Sequence, residues 1–196
     1  MFPKLFVTDL DGTALGGEYL PYSRFPDQFS AFLDYLSDNG CAWAINSAWT
    51  LNGQWELVKV SSVKSKPAFY MAEIGMILAT HTEKGPEFVK SYADSGTLNI
   101  KCATGQLDVR PGFINKGTSL AAAIEMMGIS PDDVIVAGDE ITDIAMMQPE
   151  LAKYAICPEN AEVEVKKHVQ ALKGGVVGPG YASKGIIPAF KTLFGV

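Results

Sequence analysis

Two carboxylates, separated by one residue, follow a short apolar run early in the sequence. Residues 5–7 (LFV) lead into TDLDGT, which places Asp9 and Asp11 directly after a run of strand type. Asp and Gly are also common turn formers, so this stretch taken alone could simply end a strand. Other stretches carry residues that could act together with these carboxylates, and they favour chemistry over a turn.

Each of those stretches follows a predicted strand or begins a predicted helix. Ser47 follows the strand-like CAWAIN, and Lys116 opens an Ala-rich helical stretch. Asp139 comes shortly after DVIVA, and Asp143 lies four residues later, in the first turn of the next helix. Ligands of open parallel sheets bind outside the carboxyl ends of the strands, so we expect these side chains to converge at one edge.

Such a convergence would bring several negative charges into one site. Two unit charges about 4 Å apart repel by about 4 kcal/mol at an effective dielectric constant of about 20, so the carboxylates need protons or a cation. Mg²⁺ prefers a few carboxylates together with water and phosphate oxygens. Lys116 and the hydroxyl of Ser47 could then neutralise and hydrogen-bond a phosphoryl group. The pattern predicts a magnesium site that binds a phosphoryl group.

The elements that would position these residues alternate along the chain. Strand-type runs occupy residues 4–8, 41–46, 67–71, 133–137 and 153–157. Helix-type stretches cover residues 26–39, 50–60, 116–127, 141–147, 161–168 and 184–194. Strands separated by helices pair in parallel through right-handed crossovers, which predicts an α/β fold with a doubly wound parallel sheet.

Residues 76–111 break this alternation. The segment from Gly75 onward holds four short β-type pieces, MILAT, EFVKSY, TLNIKCA and QLDVRP, with turn residues between them. We therefore expect a small β-rich antiparallel insertion, or reduced cap, within a core formed by residues 1–75 and 112–196.

Composition and charge exclude several classes of protein. Hydrophobic residues make up 47% and charged residues 19%, which is typical of a compact globular protein. The net charge of −6 and the scattered Lys and Arg argue against a nucleic-acid partner. No stretch predicts a secretory signal or a membrane span, so we expect no membrane partner. The 3 cysteines are far apart, which favours reduced thiols and a cytoplasmic location.

The four motifs, in this order, resemble those of the haloacid dehalogenase (HAD) superfamily. They are DLDGT at 9–13, the strand-end Ser47, NKGTSL at 115–120 and GDEITDIAMM at 138–147. The context is most similar to the Cof-like (class IIB) sugar-phosphatase branch, in which a Glu-Asn-Gly-like step precedes the cap and Asn-Lys-Gly follows it. Glu73-Ile74-Gly75 and Asn115-Lys116-Gly117 are the counterparts here. The resemblance implies a Rossmann-like core of the HAD type and a Mg²⁺-dependent phosphatase, a hydrolase of phosphate monoesters.

The resemblance also implies a role for each motif residue. Asp9 would attack phosphorus and form an aspartyl-phosphate intermediate. Asp11 would protonate the leaving alkoxide and then activate water, since residues i and i+2 of an extended strand end project to the same side. Thr13 and Ser47 would bind phosphate oxygens. Lys116 would neutralise the phosphoryl group and orient Asp9.

A magnesium ligand set follows from the same resemblance. The ion would be held by the side chain of Asp9, the backbone carbonyl of Asp11 and the side chain of Asp139. Asp143 would join them directly or through water. The substrate would be a small phosphorylated metabolite, with a sugar phosphate as the expected class.

The sequence departs from the family pattern at several positions. Thr142 stands where the family usually has Asn, and Ile74 replaces the usual Asn before Gly75. Ala48 and Trp49 follow Ser47 where the branch often has Gly-Arg, so a second cation is missing there. Trp49 is predicted to be a packing residue that could border the site. None of these changes removes a residue with a named catalytic role.

The short insertion leaves the substrate and the assembly open. A lid of this size implies an open site, a bulky substrate or a neighbouring subunit over the cleft, and of these we favour a homo-oligomer. A phosphotransferase on the same fold and a non-catalytic binding or regulatory protein are the alternatives. The second would be marked by loss of Asp9, Asp11, Lys116 or Asp139, and all four are present.

Overall fold

A computed structural model describes residues 2–16, 24–91, 98–103, 106–111 and 114–196. The strands in these ranges are β1 (Leu5–Thr8), β2 (Ala42–Asn46), β3 (Phe69–Ala72), β4 (Ile77–Thr82), β5 (Gly85–Ser91), β6 (Leu98–Ala103), β7 (Gln106–Pro111), β8 (Val134–Ala137), β9 (Tyr154–Cys157) and β10 (Gly175–Val177). The α-helices are α1 (Asp27–Asp38), α2 (Leu51–Val60), α3 (Lys116–Met127), α4 (Val163–Ala171) and α5 (Ser183–Phe194). Short 3₁₀ helices cover Glu73–Gly75, Pro131–Asp133 and Ile141–Ala145.

Eight of the strands form one sheet, in the order β10-β9-β8-β1-β2-β3-β4-β5. The strands from β10 to β3 run parallel to their neighbours, while β4 and β5 are antiparallel additions at one edge. The chain proceeds from β1 to β3 in one direction and resumes with β8 on the other side of β1. The strand order therefore reverses between β1 and β8, where doubly wound sheets bind their ligands.

The core lies on both faces of this sheet. Phe6 and Trp43 point to the face that α1, α2 and α5 cover, where the ring of Phe32 lies 5.6 Å from Phe6 and 5.1 Å from Phe190. The alternate residues of the same strands, including Val7, point to the face covered by α3 and α4. Apolar side chains on both faces explain the continuous apolar runs of the sequence, and the predicted doubly wound α/β fold is confirmed.

The helices begin and end where local hydrogen bonding requires it. Thr50 caps α2, since its hydroxyl accepts from the backbone N–H of Gly53 at 3.2 Å. Asn115 caps α3 through side-chain bonds from Gly117 and Thr118 at 2.8 and 3.1 Å. Gly128 ends α3 with a φ of +60°, in the left-handed region that favours glycine. These caps place Lys116 in the first turn of α3.

Residues 76–111 contribute to two different sheets. All four β-type pieces of the sequence contain strands, and the strands pair in antiparallel fashion within hairpins. The first hairpin, β4–β5, extends the main sheet through β3, whereas β6 and β7 form a separate two-stranded sheet. The connecting residues 92–97, 104–105 and 112–113 lie outside the described residues. A division into a core and an insertion at 76–111 stays a prediction.

None of the helices in the described ranges is long and apolar enough to cross a membrane.

Candidate active site

Three parallel strands deliver the predicted site residues to one edge of the sheet. Thr8, the last residue of β1, pairs with Ile45 of β2 and Ala137 of β8, so the three strands end at the same level. Asp9 follows β1, and its backbone N–H donates to the carbonyl of Ala137 at 3.0 Å. Ser47 follows β2. Asp139 lies two residues beyond the end of β8.

Lys116 links two carboxylates at this edge. Its Nζ donates to Oδ1 of Asp9 at 2.7 Å and to Oδ1 of Asp143 at 2.5 Å. The side chains of Lys116, Asp9 and Asp143 are only 3%, 7% and 0% exposed. A lysine in the first turn of a helix opposes the helix dipole, so these two carboxylates offset an unfavourable position.

Asn46 holds the start of α3 against the sheet. Its Nδ2 donates to the backbone carbonyl of Lys116 at 2.8 Å, and Asn46 is fully buried at the end of β2. Gly117 packs closely on the 3₁₀ helix Ile141–Ala145. A Cβ at position 117 would collide with the carbonyl of Ala145. The backbone that carries Lys116 is therefore fixed on two sides.

Asp143 also organises the loop after β8. Its Oδ2 accepts from the backbone N–H groups of Asp139 and Glu140, both at 2.9 Å. Gly138 allows this close approach, because a Cβ there would collide with the side chain of Asp143. One carboxylate thus joins the lysine to the turn that presents Asp139.

Asp139 is held by the turn after β1. The hydroxyl of Thr13 donates to Oδ1 of Asp139 at 2.6 Å. Gly12 has a φ of +76°, and a Cβ at this residue would run into the carboxylate of Asp139. Nδ2 of Asn160 donates to the carbonyl of Gly12 at 2.9 Å, and Oδ1 of Asn160 accepts from the N–H of Ala182 at 2.7 Å.

Asp11 lies apart from this cluster and has a different partner. Its Oδ2 accepts from the indole Nε1 of Trp49 at 2.6 Å. The backbone N–H of Trp49 donates in turn to the hydroxyl of Ser47 at 3.3 Å. Ser47 is buried, Trp49 is half-buried and Asp11 is partly exposed. Trp49 therefore borders the site and bonds to it.

Burial and crowded charge shift the proton affinities of the cluster. Burial, with the charges of Asp143 and Glu140, raises the pKa of Asp139 from 3.8 to about 7, although the bond from Thr13 opposes the rise. Burial and the charge of Asp143 also raise the pKa of Asp9, against the attraction of Lys116. For Lys116, burial lowers the pKa, but Asp143 and Asp9 outweigh it and the net shift is upward. Lys116 therefore stays charged at neutral pH, whereas the carboxyl group of Asp139 binds a proton more readily than an ordinary aspartate does.

The donor set fits a hard divalent cation. One carboxylate oxygen from each of Asp9, Asp139 and Asp143 lies within 4.8 Å of the others. When ionised, the three carboxylates carry a charge of −3 and Lys116 carries +1, which leaves −2. Oxygen ligands and this charge match Mg²⁺. Both oxygens of Asp143 already accept hydrogen bonds, so Asp9 and Asp139 are the freer direct donors.

Sequence reasoning missed the contacts that Asn46, Asn160 and Trp49 make. Asn46 and Asn160 carry a usable signal, because each stands at or just after the carboxyl end of a parallel strand. Trp49 was expected to pack beside the site, and its bond to Asp11 has no signal in the spacing. Thr142, at the position of the usual Asn, is exposed.

Comparison with known proteins gives the family. Residues 26–174, more than half of the chain, match the family model of haloacid dehalogenase-like hydrolases. Phosphoglycolate phosphatase from Methanococcoides burtonii is 31% identical over 74 residues, which are 38% of this chain and 32% of that protein. The match thus spans about a third of the length of this curated relative.

Solved structures share the fold at low sequence identity. A phosphatase of the HAD superfamily from Bacteroides thetaiotaomicron is 13% identical with a TM-score of 0.75, and the match covers 100% of this chain and 96% of that one. The sucrose-phosphatase from Synechocystis, solved with sucrose and phosphate, is 16% identical with a TM-score of 0.69 and 99% coverage of both chains. The matched family model is consistent with the Cof-like branch. The chain belongs to the haloacid dehalogenase-like hydrolase family, as its motifs predicted.

Proposed function

We propose that this protein is a Mg²⁺-dependent phosphomonoesterase that works through an aspartyl-phosphate on Asp9. The observation that carries the proposal is the buried contact of Lys116 with Asp9 and Asp143, beside the third carboxylate of Asp139. A buried lysine can bind an anionic group, and three carboxylates beside it can bind a cation. Together they suit an anionic ligand that binds with a metal ion. A phosphate monoester with Mg²⁺ is such a ligand.

Asp9 is the proposed nucleophile. Lys116 occupies its Oδ1, while Oδ2 has no hydrogen-bond partner among the described residues. In the first step Oδ2 forms a bond to phosphorus, the bond from phosphorus to the ester oxygen breaks, and Asp11 gives its proton to that oxygen. The products are an alcohol and a phosphorylated Asp9.

The second step regenerates the carboxylate. Water attacks the phosphorus atom and gives a proton to Asp11, while the bond between phosphorus and Oδ2 of Asp9 breaks. Inorganic phosphate leaves. Lys116 stays charged throughout and orients Asp9, and the hydroxyls of Thr13 and Ser47 would bind phosphate oxygens. Thr13 now donates to Asp139, so this role requires its hydroxyl to serve the phosphate as well.

The proposed metal ligands are the side chains of Asp9 and Asp139, the backbone carbonyl of Asp11, and Asp143 through water. Bound Mg²⁺ would supply positive charge that lets an anionic ester approach two carboxylates. Asp143 holds the N–H groups of Asp139 and Glu140, so it keeps the loop in place with or without the ion.

The proposed substrate is a small phosphorylated metabolite, with sugar phosphates as the first class to test. Two similar proteins act on, or were solved with, small molecules of related chemistry: a phosphoglycolate phosphatase, and a sucrose-phosphatase with sucrose and phosphate bound. Nucleic acid and membranes are not expected as partners. A cytoplasmic location and a homo-oligomer remain predictions.

The first experiment is hydrolysis of 4-nitrophenyl phosphate by the purified protein, with Mg²⁺ and with a chelator. The proposal predicts metal-dependent turnover that Asp9→Asn abolishes and Asp133→Asn retains. Asp133 lies beside Lys4 at the amino ends of β1 and β8, away from the candidate site. A panel of sugar phosphates follows. Well-folded protein that hydrolyses none of these esters would contradict the proposal and favour a binding function. Turnover that needs an added acceptor alcohol would indicate a phosphotransferase.

A further inference from the structure

We propose that Trp49 is a positioning residue that holds the carboxyl group of Asp11 in one orientation. This inference rests on the proposed acid and base role of Asp11. The observation behind it is the bond of 2.6 Å from Nε1 of Trp49 to Oδ2 of Asp11.

The chemistry of the indole group affects which oxygen carries the proton. Indole N–H donates a hydrogen bond and accepts none. A carbonyl oxygen accepts this bond better than a protonated oxygen does, so the contact with Oδ2 favours the placement of a proton on Oδ1 of Asp11. A half-turn of the carboxyl group would exchange its two oxygens. It would place the protonated oxygen beside the indole N–H of Trp49 and weaken this hydrogen bond. Asp11 consequently presents its acidic oxygen in a single direction.

Trp49 itself is held firmly enough for this task. Its backbone N–H donates to Ser47 at 3.3 Å, and its carbonyl accepts from the N–H of Glu73 at 3.1 Å and from Nε2 of Gln54 at 3.3 Å. Gln54 is fully buried and also bonds to the carbonyl of Met71 at 3.1 Å. The backbone of Trp49 is thus tied to both β3 and α2.

The indole ring also has a defined support. A Cβ added at Gly53 would lie 3.5 Å from Cε3 of Trp49, so the ring rests on the first turn of α2. The same turn is capped by Thr50, the next residue in the chain. An alanine at position 53 would place its methyl group in ordinary van der Waals contact with the ring, so this turn lies directly beside the indole.

The other two tryptophans provide internal comparisons. Trp43 donates its indole N–H to the hydroxyl of Ser65 at 3.0 Å. Trp55 packs on His81 and Tyr70, with ring centroids 4.8 and 6.1 Å away. Within the part of the chain that the structure describes, the only indole bonded to a carboxylate is that of Trp49. Trp55→Phe is therefore a matched control for Trp49→Phe.

A correctly aimed acid matters most when the leaving group is poor. Phenolate needs a proton as it leaves phosphorus, whereas 4-nitrophenolate is stable enough to leave without one. Phenyl phosphate and 4-nitrophenyl phosphate have nearly the same shape, so the two esters separate acid catalysis from binding. Loss of the positioning contact should slow the first ester much more than the second.

The kinetic test compares kcat/KM for both esters in the wild type, Trp49→Phe and Trp55→Phe, all with Mg²⁺. For Trp49→Phe we expect a loss of about 10- to 100-fold on phenyl phosphate, part of the usual contribution of a general acid. On 4-nitrophenyl phosphate we expect a loss of less than about threefold. Trp55→Phe should match the wild type on both. Equal losses of Trp49→Phe on the two esters would overturn the proposal.

A spectroscopic test removes the dependence on activity and on the folding of Trp49→Phe. The indole N–H signals of ¹⁵N-labelled protein are recorded by NMR in the wild type and in Asp11→Ala. Trp43→Phe and Trp55→Phe assign two of the 3 signals, and the third belongs to Trp49. The signal of Trp49 should move strongly in Asp11→Ala, and those of Trp43 and Trp55 should stay in place. A Trp49 signal that does not respond overturns the inference. A responding signal in a protein inactive on both esters overturns the proposed function instead and leaves the contact standing.

Discussion

Strands β1 and β8 lie side by side, and a lysine–aspartate contact stands at each end of the pair. At the amino ends, Nζ of Lys4 lies 2.8 Å from Oδ2 of Asp133. At the carboxyl ends, Nζ of Lys116 lies 2.7 Å from Oδ1 of Asp9. The distances are nearly equal, and the side chains of Asp133 and Asp9 are 9% and 7% exposed. The lysines differ, because the side chain of Lys4 is 59% exposed and that of Lys116 is 3% exposed.

Charge balance separates the two ends further. The contact at the amino ends joins one lysine to one carboxylate, whereas Lys116 faces Asp9 and Asp143, with Asp139 close by. An exposed pair contributes at most about 1 kcal/mol, and buried charges stabilise a fold only when they are fully matched. Surplus negative charge at the carboxyl ends costs stability unless a cation or a proton matches it. Nearly equal distances therefore describe two different arrangements, a partly exposed ion pair and the buried cluster of the candidate site.

The largest expected difference between the two ends is in catalysis. Asp9→Asn should lower kcat/KM for 4-nitrophenyl phosphate by at least about 1,000-fold, because the amide cannot form the phosphorylated intermediate. Asp133→Asn, the same change at the other end of the strands, should stay within about twofold of the wild type. Steady-state assays of the two purified variants check this, with circular dichroism to verify folding. Comparable losses in both variants would contradict the assignment.

Stability should distinguish the two lysines nearly as clearly. Lys116→Met leaves buried carboxylates without their cation and should lower the free energy of unfolding by about 3–5 kcal/mol at pH 8 in chelator. Lys4→Met should change it by at most about 1 kcal/mol. Urea unfolding followed by tryptophan fluorescence measures both. Similar shifts in the two variants would mean that the buried cluster is no more than a second ion pair.

Magnesium should stabilise the carboxyl end in a pH-dependent way. Folding raises the pKa of Asp139 from 3.8 to about 7. Between these two pH values, Asp139 keeps its proton in the metal-free folded protein, whereas the unfolded chain has already lost it. The free energy of unfolding of the metal-free protein therefore falls as pH rises through that window. Mg²⁺ competes with the proton, so saturating Mg²⁺ should raise Tm by several °C at pH 8 and by less at pH 5.

The control for this prediction again comes from the two ends of the strands. Thermal unfolding of Asp139→Asn should lose most of the response to Mg²⁺, while Asp133→Asn should keep it. A response of the wild type that is larger at pH 5 than at pH 8 would have the wrong sign for displacement of a proton.

The smallest effect concerns the coupling between Lys4 and Asp133, a pair in which only the lysine is exposed. A double-mutant cycle with Lys4→Met and Asp133→Asn should give a coupling of about 0.2–1 kcal/mol in low salt. The coupling should shrink in 1 M salt, where the Debye length is about 3 Å. Urea unfolding of the four proteins at both salt concentrations checks it. A coupling of several kcal/mol that salt does not change would make the two ends alike.

The sequence predicted the elements best where strong local signals mark both ends. Helix α3 has the predicted bounds, Lys116–Met127, because Asn115 caps its start and Gly128 ends it. Strand β10 was missed, since its three residues, GVV, are too few for a period and begin at a glycine. Gly175 is required there because a Cβ would collide with the carbonyl of Val169, which is a contact across elements.

The candidate site shows the same limit. Asp9, Ser47, Asp139 and Lys116 could be found from the sequence because parallel strands end at one edge and helices begin there. The bonds from Trp49 to Asp11 and from Asn160 to Gly12 depend on side-chain directions that the spacing does not carry. Topology can be read from the pattern, whereas the partners of each polar atom need the packed structure.

The most direct test of the proposed phosphatase site is to trap the phosphorylated carboxylate. Asp11→Asn keeps the nucleophile but lacks the base for the second step, so it should accumulate the intermediate when mixed with Mg²⁺ and 4-nitrophenyl phosphate. Rapid quenching and borohydride reduction convert a phosphorylated aspartate to homoserine, which peptide mass spectrometry locates. The account predicts this conversion at Asp9 and at no other aspartate, and none in the presence of chelator. Conversion at another aspartate, or none at Asp9 while the wild type hydrolyses the ester, would contradict it.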